Sequence, residues 1–273
     1  DCAGLCSGVE RALGLAYEAA QDAPAPVNTL GPLIHNPGVI ADLKARGVGV
    51  IEDVAQVHSG TVVLRSHGVP REIKETLLAS DLTIVDATCP FVTAAQEKTA
   101  RLKAEGYLVV ILGERNHPEV LGLRSYAGED SFVVESPEDL PAKLRGKRVG
   151  VVVQTTQSQE RLAELVAHLA RHTRELLVHN TICSATEQRQ AAAMALASAV
   201  DCVVVVGGKE SGNTRRLAEL CAARQPCTYQ VESAEEIHPA WFRGVKTVGV
   251  TAGASTPPEQ IEAVAARIHG MKA

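Results

Sequence analysis

Aromatic side chains are scarce in this 273-residue chain, at 3%, which removes the stacking platforms that single-stranded nucleic acid needs. The net charge is −5 and no segment forms a basic stripe, so nucleic acid is not an expected partner. No apolar run reaches the ~18 residues that a membrane-spanning helix requires. The N-terminus lacks the basic-then-apolar pattern of a signal peptide. Together these absences predict a cytoplasmic protein with neither a nucleic-acid nor a membrane partner. There is no CxxC pair and no CxxxCxxC run, so no local zinc knuckle and no radical-cluster loop of the usual kind is encoded. The cysteine count is seven, an odd number that fits a reducing compartment. A composition of 45% hydrophobic and 22% charged residues is that of an ordinary soluble protein, not of a disordered chain or a disulfide miniprotein.

What is present is alternation. The runs 82–88 (LTIVDAT), 107–113 (YLVVILG), 148–154 (RVGVVVQ), 202–208 (CVVVVGG) and 246–252 (KTVGVTA) are short and rich in Val and Ile. They predict buried parallel strands, apolar on both faces. Between them lie helical patterns: Leu162, Leu165, Val166 and Leu169 recur at i, i+3, i+4, i+7, as do Ile261, Val264, Ala265 and Ile268. Strand–helix alternation is the signature of α/β layering.

The alternation repeats. Three segments begin alike, at Leu5 (LCSGVERALGLA), Thr88 (TCPFVTAAQEKTA) and Ile182 (ICSATEQRQAAAM), each with a cysteine where the chain enters a helix. About 30 residues on, each unit reaches a polar, helix-opening turn: IHNPGV (34–39), NHPEVL (116–121) and SGNTRRL (211–217). These turns align His35, His117 and Asn213. Each unit then has a strand with a polar end, bearing His67, Thr155 with Thr156, and Ser255. The pattern predicts three similar α/β units, at 6–89, 90–183 and 184–273, with mostly parallel sheets around a pseudo-threefold axis. Ligands of such units gather at the carboxyl ends of the strands, so three cysteines, three turns and three strand ends would face one cavity. Strand-like runs precede Cys89 and Cys183, but only residues 1–5 precede Cys6. They read as the remnant of the third unit's N-terminal strand, the rest being expected upstream through a late-called start or trimming.

Three thiolates at one point, without a fourth protein ligand, suit a metal centre with an open position: zinc that keeps a water, or a 4Fe–4S cluster with one iron free. A single such cysteine would more simply be a buried apolar residue. Its recurrence at one repeat position, and a helix N-terminus that favours the ligating thiolate, point to ligation by Cys6, Cys89 and Cys183. Cys202 opens an apolar strand and Cys221 follows Leu217 at i+4, so both read as core.

The polar residues His35, His67, Ser211, Asn213 and Ser255 are short donors at turns and helix starts, where backbone amides and the helix dipole bind phosphate without cationic side chains. His58, His168, His172, His179, His238 and His269 have no repeat support and read as surface or capping residues. Glu119 follows His117 and Pro118. Its plain reading is a carboxylate that complements the helix dipole. The corresponding places in the other units hold Pro37 with Gly38 and Thr214 with Arg215, so only one unit offers an acid. That makes Glu119 a proton-relay candidate.

With these residues the sequence resembles the 4-hydroxy-3-methylbut-2-enyl diphosphate reductase family of the methylerythritol phosphate route to isoprenoids. The resemblance rests on CSGVERA (6–12), HN (35–36), SHGV (66–69), DATCPFV (86–92), NHPEV (116–120), QTT (154–156), SGNTRRL (211–217) and GVTAGAS (249–255), in family order. It implies a trefoil of three α/β units and an oxygen-sensitive 4Fe–4S cluster on Cys6, Cys89 and Cys183, whose open iron takes the substrate's allylic hydroxyl. It further implies that His35, His67, Ser211, Gly212, Asn213 and Ser255 hold the diphosphate, with His117 nearby. Thr155 would contact the hydroxyl end beside Thr156, and Glu119 would feed protons. Two electrons, from ferredoxin or flavodoxin, and two protons would yield isopentenyl and dimethylallyl diphosphate. The chain departs from the family at DCAGLC, where a PRGFC-like approach is usual. It departs again at Gly212, where members often carry a second serine and only a backbone amide is offered here. Two other readings of three cysteines stay open: a quinolinate synthase-like enzyme, which needs neither HPEV nor TAGAS, and a non-catalytic iron–sulfur sensor, which needs no Glu119.

Overall fold

The computed structural model describes residues 3–272; Cys2, which carries no assignment, lies outside them. The chain is α/β, with three separate, wholly parallel sheets. Two compact units are formed, one of Glu10–Ile34 with Ile40–Cys183, the other of Asp1–Val9, His35–Val39 and Ser184–Ala273.

The larger unit holds two sheets. Strands β1 (Val27–Leu30), β2 (Val48–Ile51), β3 (Thr61–Leu64) and β4 (Thr83–Asp86) lie in the order β2-β1-β3-β4. Strands β5 (Leu108–Leu112), β6 (Phe132–Val134), β7 (Arg148–Val153) and β8 (Glu175–Val178) lie in the order β6-β5-β7-β8. The smaller unit holds β9 (Cys202–Val206), β10 (Thr228–Val231) and β11 (Val248–Ala252) in the order β10-β9-β11. One connection plan therefore generates all three sheets, as the repeat predicts, and among the described residues the third has one strand fewer.

The central strands are apolar on both faces because both faces are covered. In β5, Val110 and Leu112 join one core while Val109 and Ile111 join another. In β9, Val204 and Val206 pack with Val231, Val264 and Ile268, while Val203 and Val205 pack with Leu217 and Cys221. Burial of such side chains contributes roughly 1.5–3 kcal/mol each. The expectation of full burial fails at β4, which is half-buried with Thr83 exposed, because among the described residues only β3 pairs with it. The 3- and 4-residue strands β1, β2, β6 and β10 are too short for a period-2 signal to stand out.

The helices are α1 (Ser7–Asp22), α2 (Pro37–Ala45), α3 (Arg71–Leu78), α4 (Pro90–Ala104), α5 (Pro118–Ala127), α6 (Gln159–Ala170), α7 (Ser184–Ala197), α8 (Gly212–Ala222) and α9 (Pro258–His269). Four begin on proline, which lacks the N–H that a first turn leaves unbonded and has its φ already set. The predicted apolar stripe on α6 is buried at Leu162, Leu165 and Leu169. On α9 it narrows to Val264 and Ile268, with Ala265 exposed.

Candidate active site

The three predicted cysteines occupy equivalent local positions. Each stands immediately before a helix: Cys6 before α1, Cys89 as the N-cap of α4, Cys183 before α7. Each backbone N–H donates to a carbonyl just past the end of a strand. Cys6 donates to Ala254 after β11 (3.1 Å), Cys89 to Ser66 after β3 (3.0 Å) and Cys183 to Thr155 after β7 (3.1 Å). The next residue in each case, Ser255, His67 or Thr156, is one of the predicted polar ligands. All three cysteines are half-buried. Cys202 and Cys221 differ as expected of core residues: both are fully buried, and burial pushes their thiols up to about 12 and about 11.

In the larger unit the N-terminus of α5 is built around His117. Its Nδ1 accepts from the Glu119 N–H at 3.1 Å, which requires a lone pair there and leaves the neutral ring's proton on Nε2. The His117 and His67 rings meet edge-on with centroids 5.4 Å apart. Glu119 is 1% exposed. Its Oε1 accepts from the Thr155 N–H at 2.7 Å and its Oε2 from the Thr155 hydroxyl at 2.8 Å. Burial pushes the Glu119 carboxyl up to about 7, against the two Thr155 hydrogen bonds, while nearby Glu114 adds to the rise. A carboxyl group with that acidity exchanges protons readily near neutral pH. Thr156 is half-buried, and its Oγ1 accepts from Gln154 Nε2 at 3.0 Å.

In the smaller unit Ser211 is the N-cap of α8, its Oγ accepting from the Thr214 N–H at 3.3 Å. Gly212 and Asn213 form the first turn. Asn213 is 5% exposed, yet among the described residues neither its Nδ2 nor its Oδ1 has a hydrogen-bond partner. Native proteins rarely leave both ends of a buried amide unbonded. Ser255 is buried, and its hydroxyl lies 3.5 Å from the His35 carbonyl. A Cβ on Gly208 would come within 2.3 Å of that same carbonyl oxygen, so a glycine is needed for the close approach.

The helix starts shift one expected alignment. Asn36, whose Oδ1 accepts from the Val39 N–H, His117 and Ser211 are the equivalent capping residues, so Glu119 corresponds to Gly38 and Asn213. It does not correspond to Thr214 with Arg215, and His35 falls just before its cap. The turn after Cys183 is reached slightly sooner than spacing from Asn213 suggested. Glu119 remains the acid of the set. Sequence reasoning also missed Asn36, which ties Ser255 O and Gln260 Oε1 by its Nδ2, both at 2.9 Å. It missed Gln154 as well, fully buried, with its Oε1 accepting from the Glu114 N–H. Both lie inside the HN and QTT motifs, which was the available signal.

This arrangement of cysteines, capped turns and strand ends recurs in known proteins. The LytB protein family matches over residues 1–269. The chain belongs to that family. Among its LytB relatives, the 4-hydroxy-3-methylbut-2-enyl diphosphate reductase of Geobacter metallireducens is 48% identical over 267 residues, covering 98% of this chain and 94% of the relative. The reductase of the same name from Aquifex aeolicus is 47% identical over 270 residues, covering 98% and 93%. A solved structure of (E)-4-hydroxy-3-methyl-but-2-enyl diphosphate reductase, described as the terminal enzyme of the non-mevalonate pathway, superposes with a TM-score of 0.72 at 46% identity. It covers 99% of this chain and 97% of that one. The Plasmodium falciparum reductase superposes with a TM-score of 0.87 at 27% identity, covering 95% and 83%. Membership in the LytB family removes the quinolinate synthase alternative.

Proposed function

We propose that the chain reduces 4-hydroxy-3-methylbut-2-enyl diphosphate to isopentenyl and dimethylallyl diphosphate. The observation that carries this is Glu119: a buried carboxyl, held twice by Thr155 and pushed up to about 7, in a chain of the LytB family. In the reaction the allylic C–O bond breaks, two electrons enter, one proton leaves with the hydroxyl as water, and one proton bonds to carbon. Which end of the allyl unit takes that proton decides the product.

The residues fit a thiolate-bound 4Fe–4S cluster, with Cys6, Cys89 and Cys183 as its ligands. Each is half-buried at a helix start with its amide pinned, unlike the core thiols of Cys202 and Cys221. When bound, such a cluster supplies electrons and a Lewis-acidic iron for the hydroxyl oxygen. The chain's own groups do the rest. Glu119 holds the proton, and Thr155 Oγ orients it toward the hydroxyl end of the substrate beside Thr156. His117 offers its Nε2–H. His35, His67, Ser211, the Gly212 amide, Asn213 and Ser255 bind the diphosphate through neutral donors, and the α8 dipole favours the anion. The unbonded Nδ2 of Asn213 supports this role, since a phosphate oxygen would satisfy it. In this reading each of the three units 6–89, 90–183 and 184–273 contributes one cysteine ligand. Electrons come from a ferredoxin or flavodoxin, in a reducing cytoplasm. Among the described residues no helix is long and apolar enough to cross a membrane.

Anaerobic turnover tests this reading. The reconstituted protein, given the diphosphate substrate and a strong one-electron reductant, is expected to form both isoprenoid diphosphates. An intact cluster without turnover would favour the sensor reading instead.

A further inference from the structure

The segments leading into the three cysteines are held in different ways. Cys89 follows β4, which pairs with β3. The Arg11 guanidinium adds hydrogen bonds from Nη1 to Thr88 O at 3.1 Å and from Nη2 to Asp86 O at 3.2 Å. Cys183 follows β8, which pairs with β7, and the Thr181 hydroxyl bonds both the N–H and the carbonyl of Val153. Before Cys6, Gly4 takes φ +98°, a left-handed conformation open to glycine, whose wide backbone freedom makes the segment costly to order. Beside the Cys6 N–H bond to the Ala254 carbonyl, Arg189 on α7 ties this segment down. Its Nη2 donates to Gly4 O at 2.8 Å and to Leu5 O at 3.1 Å, and its Nη1 donates to Ala185 O at 3.1 Å.

Arg189 is also a misfit as an ordinary core residue. It is 9% exposed and bonds only to carbonyls. Among the described residues no carboxylate pairs with it, and its Nε has no partner. A buried guanidinium without a counter-charge is costly. An anionic thiolate centre at Cys6, adjacent to the clamped Leu5, would offset that cost.

We propose that Arg189 is the positioning residue for Cys6: its guanidinium clamps the Gly4 and Leu5 carbonyls and presents the thiolate for cluster ligation. The assignment rests on the cluster reading above. Arg189 does at Cys6 what strand pairing and Arg11 do at Cys89. Its fork is what matters, because Nη2 takes the Gly4 and Leu5 carbonyls while Nη1 stays anchored on the Ala185 carbonyl of its own helix, a span that a lysine ammonium cannot make equally well.

The test uses the 273-residue chain, as Arg189→Met and as Arg189→Lys. In cluster-free protein, iodoacetamide labelling of each cysteine is followed by mass spectrometry. In Arg189→Met, Cys6 is expected to label roughly tenfold faster, the scale of a lost charge-assisted hydrogen bond, while Cys89, Cys183 and buried Cys221 keep their rates. Arg189→Lys should fall between, and after reconstitution both variants should hold less iron and sulfide per chain than the parent. An unchanged Cys6 rate in either folded variant would overturn the proposal. So would equal acceleration at Cys221, which would mark general loosening. If the parent protein took up no cluster while the Cys6 contrast persisted, the clamp would stand and the cluster reading would fall.

Discussion

Thr155 binds Glu119 with both of its donors and Cys183 with its acceptor. Its N–H and hydroxyl meet the two oxygens of the Glu119 carboxylate at 2.7 and 2.8 Å, while its carbonyl receives the Cys183 N–H at 3.1 Å. One residue thus joins the proposed proton source to the backbone of a proposed cluster ligand. The end of β7 sets this up, since the Gln154 N–H bonds the Leu112 carbonyl at 2.8 Å and so fixes where the chain leaves the strand for Thr155.

Glu119→Gln should keep both contacts with Thr155, because the amide accepts at one atom and donates at the other. It removes the proton. Turnover is expected to fall by about 10²–10⁴-fold, with the cluster's visible absorption unchanged. Turnover within a few-fold of the parent would take Glu119 out of the reaction.

The same substitution changes the pH dependence of stability. The Glu119 carboxyl is raised in the folded state from 4.5 to about 7. Its favourable contribution is therefore complete below about pH 4.5 and is lost as pH rises through about 7, a span worth on the order of 3 kcal/mol. Denaturant titrations of the cluster-free parent and Glu119→Gln should show a stability difference that shifts against the parent across that window. Parallel curves would contradict the buried, raised carboxyl.

Thr155→Val keeps the shape and the backbone donor but deletes the hydroxyl whose hydrogen bond pulls the Glu119 pKa down. Glu119 should then hold its proton to higher pH. If protonated Glu119 is the form that donates, the alkaline limb of the kcat profile moves upward in pH. A limb that stayed in place or moved down would show that the hydroxyl does not set this acidity.

Asn213→Leu separates binding from folding. Since the Asn213 amide bonds to nothing among the described residues, its loss should not lower Tm, as an unsatisfied buried polar group gives way to an apolar one. KM for the diphosphate substrate should rise by about tenfold, the scale of a charge-assisted hydrogen bond. A Tm drop of many degrees with KM unchanged would make Asn213 structural.

Cys89→Ser and Cys202→Ala should fail in opposite ways. The first should lose the iron–sulfur absorption band while folding normally. The second should keep the band and lose about 1–2 kcal/mol of stability through a cavity on the Val204 face of β9, near Cys227. A full band in Cys89→Ser would contradict the ligand set.

The α/β class, the threefold plan and the separation of Cys6, Cys89 and Cys183 from Cys202 and Cys221 are legible in the sequence. Strand alternation, helix periodicity and turn chemistry are local, and a repeat shows local features three times over. The edge position of β4 was not legible, because exposure depends on whether a neighbouring strand exists. The alignment of Asn213 with Glu119 was not legible either, because a helix begins where a cap closes, and spacing alone leaves an uncertainty of a residue or two.

The sequence by itself determined which residue types stand at the cysteine positions, the helix-opening turns and the strand ends, since these follow from order along the chain. Only the tertiary structure decided how those residues act on one another. Burial raises the Glu119 carboxyl, two contacts from Thr155 hold it, and the Arg189 guanidinium reaches back to Gly4 and Leu5. Acidity and positioning come from desolvation and from partners far apart in sequence, and neither is a property of a residue read alone.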